Sequence, residues 1–153
     1  MNNLKEKAQK EAEIVLNYYK TGDFITAEKK SKKLLKKFPD YLAVYNLLGL
    51  CLQSQNKLNE SIKYLKIAIQ SNPNFFVAIN NLGNSYQGLG DLKNAQYNFE
   101  RALEINPNFT HAICNLGNVK KELNDFEEAI KLYHRALSVD KNLYIIHHNL
   151  GMA

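Results

Sequence analysis

Asparagine side chains recur along this sequence at a fixed spacing, and their carboxamides are its most distinctive polar groups. Asn81, Asn115 and Asn149 follow one another at intervals of 34 residues. The same interval links the remaining members of the set, which are Asn46, Asn80, Asn84 and Asn118. A carboxamide has two donor hydrogens and an acceptor oxygen, so a row of them could pair with the backbone of an extended polypeptide whatever its side chains are. Each bond would contribute only about 0.5 to 1.5 kcal/mol, so binding would need several at once.

The side chains that usually carry catalysis or bind metals form no recognisable motif. No two of the histidines are spaced i and i+4, as a helical metal site would need; they are His111, His134, His147 and His148. Cys51 and Cys114 lie far apart, and neither belongs to a CxxC pair. Phosphate-binding loops, dinucleotide fingerprints and nucleophile elbows are also missing. We therefore predict no enzymatic activity within these residues, no cofactor and no metal.

Lysines account for the formal net charge of +5 and are concentrated near the start of the chain. Residues 1–41 hold ten lysines and six acidic residues, whereas residues 76–143 carry a small negative excess. The densest run comprises Lys29, Lys30, Lys32, Lys33, Lys36 and Lys37. On a helix these lysines would surround the solvated face while Leu34 and Leu35 point inward, so we expect no nucleic-acid partner. The alternative is a surface for an anionic partner, which salt would weaken.

A repeat of 34 residues must position these side chains. Gly49, Gly83, Gly117 and Gly151 each follow a leucine, and the same period links Ala68 to Ala102 and Ala136, and Pro39 to Pro73 and Pro107. Within a unit the apolar residues step by three and four, which predicts two helices per unit. The predicted repeats are 8–41, 42–75, 76–109 and 110–143, followed by a partial repeat at 144–153.

Start and stop signals separate the predicted helices. Between the two helices of each unit stand Gly22-Asp23, Asn56-Lys57, Gly90-Asp91 and Asn124-Asp125. Gly or Asn can take the left-handed conformation that ends a helix, and Asp can cap the next one. Between units, Asp40, Asn74, Asn108 and Asn142 are predicted to cap the helix that follows. Each of the three prolines precedes one of these residues and stops the helix before it.

The pattern resembles the tetratricopeptide repeat over nearly the whole chain. It is matched best by Ile79, Leu82, Gly83, Tyr86, Ala95, Phe99, Ala102 and Pro107. The resemblance implies an all-α fold, a right-handed superhelical solenoid of antiparallel helical hairpins that forms a single array over residues 1–153. The first unit departs from the pattern at Glu11, Val15, Ser31 and Leu34. It is therefore expected to be a capping repeat with a more polar outer face.

The same resemblance implies that the first helices line a concave groove. It places eight residues there: Asn46, Asn80, Asn81, Asn84, His111, Asn115, Asn118 and Asn149. These asparagines resemble the substrate-holding ladder in the repeat arm of O-linked N-acetylglucosamine transferases. The alternative is that they tie one helix to the next. The two-carboxylate clamp of chaperone-binding relatives lacks its cations here, because position 5 of the repeat offers Asn80 or Cys114.

The function predicted from these features is a protein-binding scaffold that holds an extended peptide or partner protein in the groove. One alternative is that the chain is the recruiting arm of a larger enzyme whose catalytic domain lies beyond residue 153, such as a glycosyltransferase. Another is self-assembly through residues 144–153, where the last repeat stops after one helix. No membrane span or secretory signal is present in the sequence, which predicts a cytoplasmic protein.

Overall fold

The computed structural model describes residues 2–140, with side chains from Glu6 onward, and it confirms an all-α fold of helical repeats. The described helices are α1 (Asn2–Lys20), α2 (Phe24–Lys37), α3 (Leu42–Ser54), α4 (Leu58–Ser71), α5 (Phe76–Gly88), α6 (Leu92–Ile105), α7 (Thr110–Glu122) and α8 (Phe126–Val139). The chain divides into two compact units, Met1–Pro73 with α1 to α4 and Asn74–Ala153 with α5 to α8. The predicted partial repeat, with Asn149, lies outside the described residues.

Each hairpin turns through a residue with a positive φ angle, as the sequence predicts. Gly22 and Gly90 have φ values of 82° and 75°, and Asn56 and Asn124 have values of 58° and 62°. The aspartate that follows caps the next helix in three of the four turns. The side chains of Asp23, Asp91 and Asp125 accept hydrogen bonds from the backbone N–H groups of Thr26, Asn94 and Glu128.

Three of the predicted caps between repeats are wrong by one residue, and the fourth, Asn142, lies outside the described residues. The N-cap positions of α3, α5 and α7 are Tyr41, Phe75 and Phe109, and none makes a side-chain cap hydrogen bond. Asp40, Asn74 and Asn108 lie one residue earlier. Packing explains the shift: Tyr41 packs against the core of the first unit. The ring of Phe109 meets that of Phe76 edge to face, with their centroids 5.0 Å apart. Tyr41, Phe75 and Phe109 are half-buried, so their packing contributes about 1 kcal/mol each, comparable with the roughly 1 kcal/mol of a cap.

The three glycines of the repeat pattern that lie among the described residues give room to a large side chain from the second helix of the same hairpin. A Cβ added to Gly49, Gly83 or Gly117 would lie 2.6 to 2.7 Å from the nearest side-chain atom of Leu65, Phe99 or Tyr133, respectively. The first hairpin reverses the sizes. At the equivalent positions it has Val15 and Ser31, which are 1% and 0% exposed. Two of the departures from the repeat pattern thus form one exchange of volume between the two helices.

A charge cluster replaces the missing aspartate cap in the first unit. At the position of Asp91 and Asp125 the second hairpin has Lys57, which makes no side-chain cap bond. Its ammonium lies 2.8 Å from Glu28 on α2, and that carboxylate also accepts hydrogen bonds from Lys32 and Gln55. Burial acts to raise the pKa of Glu28, but these three donors outweigh it and hold the pKa at about 2. The cluster ties α2 to the start of α4.

None of the helices in the described part of the chain is long and apolar enough to cross a membrane. Seven of them have 13 or 14 residues. A span needs about 20 mostly apolar residues. The first helix reaches 19 residues, but it is rich in Lys and Glu.

Candidate functional site

The second unit brings together most of the predicted groove residues on two neighbouring helices. Asn80, Asn81 and Asn84 lie on α5, and α7 carries His111, Asn115 and Asn118. The two helices are in contact, and both are the first helix of their hairpin. The repeat therefore places side chains 34 residues apart on adjacent, similarly directed helices, which is how a row along one face arises.

Asn115 is the centre of this group. Its side-chain Nδ2 donates to Asn80 Oδ1 at 3.0 Å and to Asn84 Oδ1 at 2.9 Å. The two acceptors are four residues apart, so they lie one turn apart on the same side of α5. Both hydrogens of the Asn115 amide are therefore used to join α7 to α5. These three asparagines therefore tie one helix to the next, as the alternative interpretation of the sequence predicts.

Two polar groups of this network remain available for a ligand. Neither the amide nitrogen of Asn84 nor the carbonyl oxygen of Asn115 has a hydrogen-bond partner among residues 2–140. Both side chains are partly exposed. Asn84 on α5 thus has two unused donor hydrogens and Asn115 on α7 has one unused acceptor, and a peptide unit needs one of each. The bonds to Asn115 hold both amides in place.

The other two asparagines of α5 offer little surface. Asn80 and Asn81 are 4% and 6% exposed. Asn80 Nδ2 is 3.4 Å from Asn81 Oδ1, which makes a long hydrogen bond. With its own oxygen facing Asn115, Asn80 connects the buried Asn81 to the partly exposed part of the network. These two buried side chains therefore stabilise the asparagine network and offer a ligand little surface.

Asn118, further along α7, is joined to the second helix of its own hairpin. The Tyr133 hydroxyl donates to Asn118 Oδ1 at 2.8 Å. Burial raises the pKa of Tyr133, with a further contribution from nearby Cys114 and Glu122, so the hydroxyl keeps its proton at neutral pH. Burial also raises the pKa of the Cys114 thiol. A protonated thiol is a weak nucleophile, so Cys114 lacks the activation of a catalytic cysteine.

His111 stands at the start of α7 and is exposed. Its ring centroid is 5.4 Å from that of Phe109, which in turn contacts Phe76. Within the described residues no group of three or more His, Cys, Asp and Glu side chains is placed to hold a metal ion. His111 therefore extends a row of rings at the edge of the asparagine network.

In the first unit, Asn46 belongs to a groove of about 360 Å³ between α1 and α3. Most of its lining comes from positions 2, 5, 6 and 9 of the first two repeats: Gln9, Ala12, Glu13, Leu16, Ala43, Asn46, Leu47 and Leu50. Tyr41 and Val44 complete it. Among the residues that line this groove, the asparagine pattern identifies only Asn46. Ala12, Glu13, Leu16, Leu47 and Leu50 could have been found from the repeat positions 5, 6 and 9, which they share with the asparagines.

Comparison with known families decides what these repeats are. Sequence models described as tetratricopeptide repeat match residues 42–75 and 75–142. The chain belongs to the tetratricopeptide repeat family. Members of this family generally act as non-catalytic scaffolds. The fold and its neighbours support a protein-interaction scaffold for this tetratricopeptide protein. No curated protein matches it.

Solved structures share the fold at low sequence identity. TTC0263, a thermophilic tetratricopeptide protein of Thermus thermophilus, has 18% identity and a TM-score of 0.85, over 95% of this chain and 80% of its own. YrrB, described as having an unusual peptide-binding site, has 20% identity and a TM-score of 0.76, over 88% of this chain and 69% of its own. MamA of Desulfovibrio magneticus RS-1 has 17% identity and a TM-score of 0.77, over 90% of this chain and 77% of its own.

Proposed function

We propose that this tetratricopeptide protein is a non-catalytic scaffold that holds an extended polypeptide on the asparagine network of its second unit. The observation that carries the proposal is the arrangement around Asn115. Its two amide hydrogens are engaged by Asn80 and Asn84, so the Asn84 amide nitrogen and the Asn115 carbonyl oxygen are unused while both side chains are held by these bonds. A fixed donor and acceptor lose little entropy when a ligand binds.

The ligand is recognised through its backbone. Asn84 donates to a peptide carbonyl and Asn115 accepts from a peptide N–H, so the contact does not depend on side-chain identity. YrrB, a structural neighbour, is described as a tetratricopeptide protein with a peptide-binding site, which supports this kind of ligand. The mixed groove around Asn46 in the first unit supplies apolar surface for side chains of a ligand bound there.

The affinity expected from this contact is modest. Two net hydrogen bonds contribute about 1 to 3 kcal/mol, which is too little to hold a ligand without other contacts. They can still set the direction in which the ligand backbone runs. The remaining affinity must come from side chains of the ligand packed beside the network, for example on His111 and Phe109. A partner that offers an extended segment with an aromatic or aliphatic residue fits this arrangement.

The test uses a matched pair of asparagine variants. Peptide arrays would first find a segment that binds the wild-type chain, and fluorescence anisotropy would give its Kd. Asn84→Asp keeps the oxygen that accepts from Asn115 but removes both donors and adds a negative charge that repels a peptide carbonyl. We expect a loss of affinity of about tenfold or more.

Asn108→Asp is the control, because it adds the same charge at an exposed loop position of the same unit. It should leave the Kd within about twofold. If the Kd of Asn84→Asp equals that of wild type, the asparagine network is not part of the binding site. Failure of the wild-type chain to bind any peptide would reject the proposed function.

A further inference from the structure

The excess of positive charge in this protein lies in the first unit. Residues 1–73 contain 13 lysines, no arginine and seven acidic residues, whereas residues 74–153 contain seven basic and eight acidic residues. The excess is greatest on α2, which has six lysines and one glutamate in 14 residues. The second helix of the first hairpin is therefore a different surface from the asparagine network, on a different unit.

Half of the α2 lysines already have a partner among their neighbours. Lys32 pairs with Glu28 and lies 3.7 Å from Glu60 on α4. Lys37 pairs with Glu11 on α1 at 3.0 Å. The Lys30 ammonium stands 5.2 Å above the centre of the Tyr18 ring. The sole carboxylate of α2 is held by Lys32 and Lys57, and its side chain is only 13% exposed, so it does not screen the outer side of the helix.

The other three lysines, Lys29, Lys33 and Lys36, have no ion-pair, hydrogen-bond or ring partner within the described part of the chain. All three are exposed. Spacings of four and three residues place them on one side of α2, and Ile25, four residues before Lys29, falls on the same side. Ile25 is 73% exposed, the highest value among the large apolar side chains described. We call these four residues the α2 lysine surface.

We propose that the α2 lysine surface is a second binding site, for an acidic polypeptide segment that places an apolar residue on Ile25. Within the first unit two of the three partnered lysines of α2 pair with carboxylates, and Glu11 and Glu60 come from neighbouring helices. A partner rich in Asp and Glu would give the three remaining lysines the same ligands. A scaffold with this site and the asparagine network would hold two partners at once.

The details favour a polypeptide over other anions. A nucleic acid would leave Ile25 uncovered, and the first unit lacks the arginines that make bidentate contacts to phosphate. Helix α2 has 14 residues and is about 21 Å long, enough for three or four turns of a partner helix. Exposed lysine–carboxylate pairs contribute about 0.2 to 1 kcal/mol each, so the three lysines provide selectivity and fast association while Ile25 adds apolar contact.

The test uses a fluorescein-labelled helical peptide of about 14 residues that carries glutamates along one side and a leucine at one end. A copy with glutamine in place of each glutamate is the reference probe. The wild-type chain should bind the acidic peptide at low salt and release it as salt is added. The triple variant K29Q, K33Q and K36Q should weaken binding about tenfold or more. Ile25→Asn should weaken it about fivefold.

The matched control is the triple variant K7Q, K10Q and K20Q, which removes the same charge from exposed positions of α1 in the same unit. It should stay within about twofold of wild type, as should Asn84→Asp, which tests the other site. The proposal is overturned if the acidic peptide does not bind, or if the α1 variant loses as much affinity as the α2 variant. Tighter binding of this surface to phosphatidylglycerol vesicles or to duplex DNA would also overturn it.

Discussion

The close contact between Gly83 and Phe99 makes a quantitative prediction about the variant Gly83→Ala. The added Cβ would lie 2.6 Å from Phe99 Cε1 and 2.8 Å from Cδ1. The ring is fully buried, so it cannot turn aside, and α5 or α6 must shift. Overpacking of this kind costs about 1 to 3 kcal/mol. Alanine also favours the helix by about 1 kcal/mol over glycine, which offsets part of that cost. Three ring atoms lie within 3.0 Å of the added Cβ, which is below contact distance and places the cost in the upper half of its range. We therefore expect a net loss of about 1 to 2 kcal/mol.

Thermal and urea unfolding followed by circular dichroism would measure this loss. For a chain of this length it corresponds to a melting temperature lower by about 2 to 8 °C. Gly88→Ala is the control, since Gly88 is the exposed last residue of α5. It should be neutral or slightly stabilising. A Gly83→Ala variant as stable as the Gly88→Ala variant would refute the reasoning.

The first hairpin suggests that the small and the large residue of this contact can change places between the two helices. Gly83→Val with Phe99→Ser copies the pair Val15 and Ser31 into the third repeat. The single variants should each destabilise, the first by overpacking and the second by leaving a cavity. If the volumes compensate, the double variant is more stable than the sum of the two losses predicts, by about 1 to 3 kcal/mol. Additive losses would mean that the two positions do not share one space.

Two further predictions concern the polar contacts of each unit. Because the pKa of Glu28 is lowered to about 2 from its ordinary value of 4.5, its contribution to stability is present above about pH 4.5 and is lost as the pH falls toward 2. Glu28→Gln should lower the urea midpoint at pH 7, and its free energy of unfolding should fall less than that of wild type as the pH is lowered. The same pH dependence of stability in the two chains would contradict this. Asp91→Ala removes the acceptor of the Asn94 backbone N–H and should cost about 1 kcal/mol in urea unfolding, whereas an unchanged midpoint would show that the cap contributes nothing.

The helices and the turns within hairpins could be predicted because their signals are local. Asn56 and Asn124 take the positive φ that the sequence suggests, and Asp23 and Asp125 cap as predicted. The caps between repeats could not be placed to the residue. Their position depends on where Tyr41 and its equivalents pack, which is a tertiary contact.

The arrangement of the asparagines was only partly predictable. Their period places them on successive first helices, but it does not say which partner each amide selects. The structure joins Asn115 to both Asn80 and Asn84, and it buries Asn81. These outcomes depend on the distance between α5 and α7 and on side-chain rotamers. The role of the predicted groove residues in binding, and the resemblance to a glycosyltransferase arm, remain predictions.

The most direct test of the central claim is to observe the side-chain amide of Asn84 by NMR while a peptide selected on the array is added. If the peptide is held on the asparagine network, the two Asn84 amide proton signals should shift progressively with peptide concentration. Amide protons at the exposed loop residue Asn108 should stay in place. Shifts confined to other parts of the chain, with the Asn84 signals unmoved at saturation, would contradict the account.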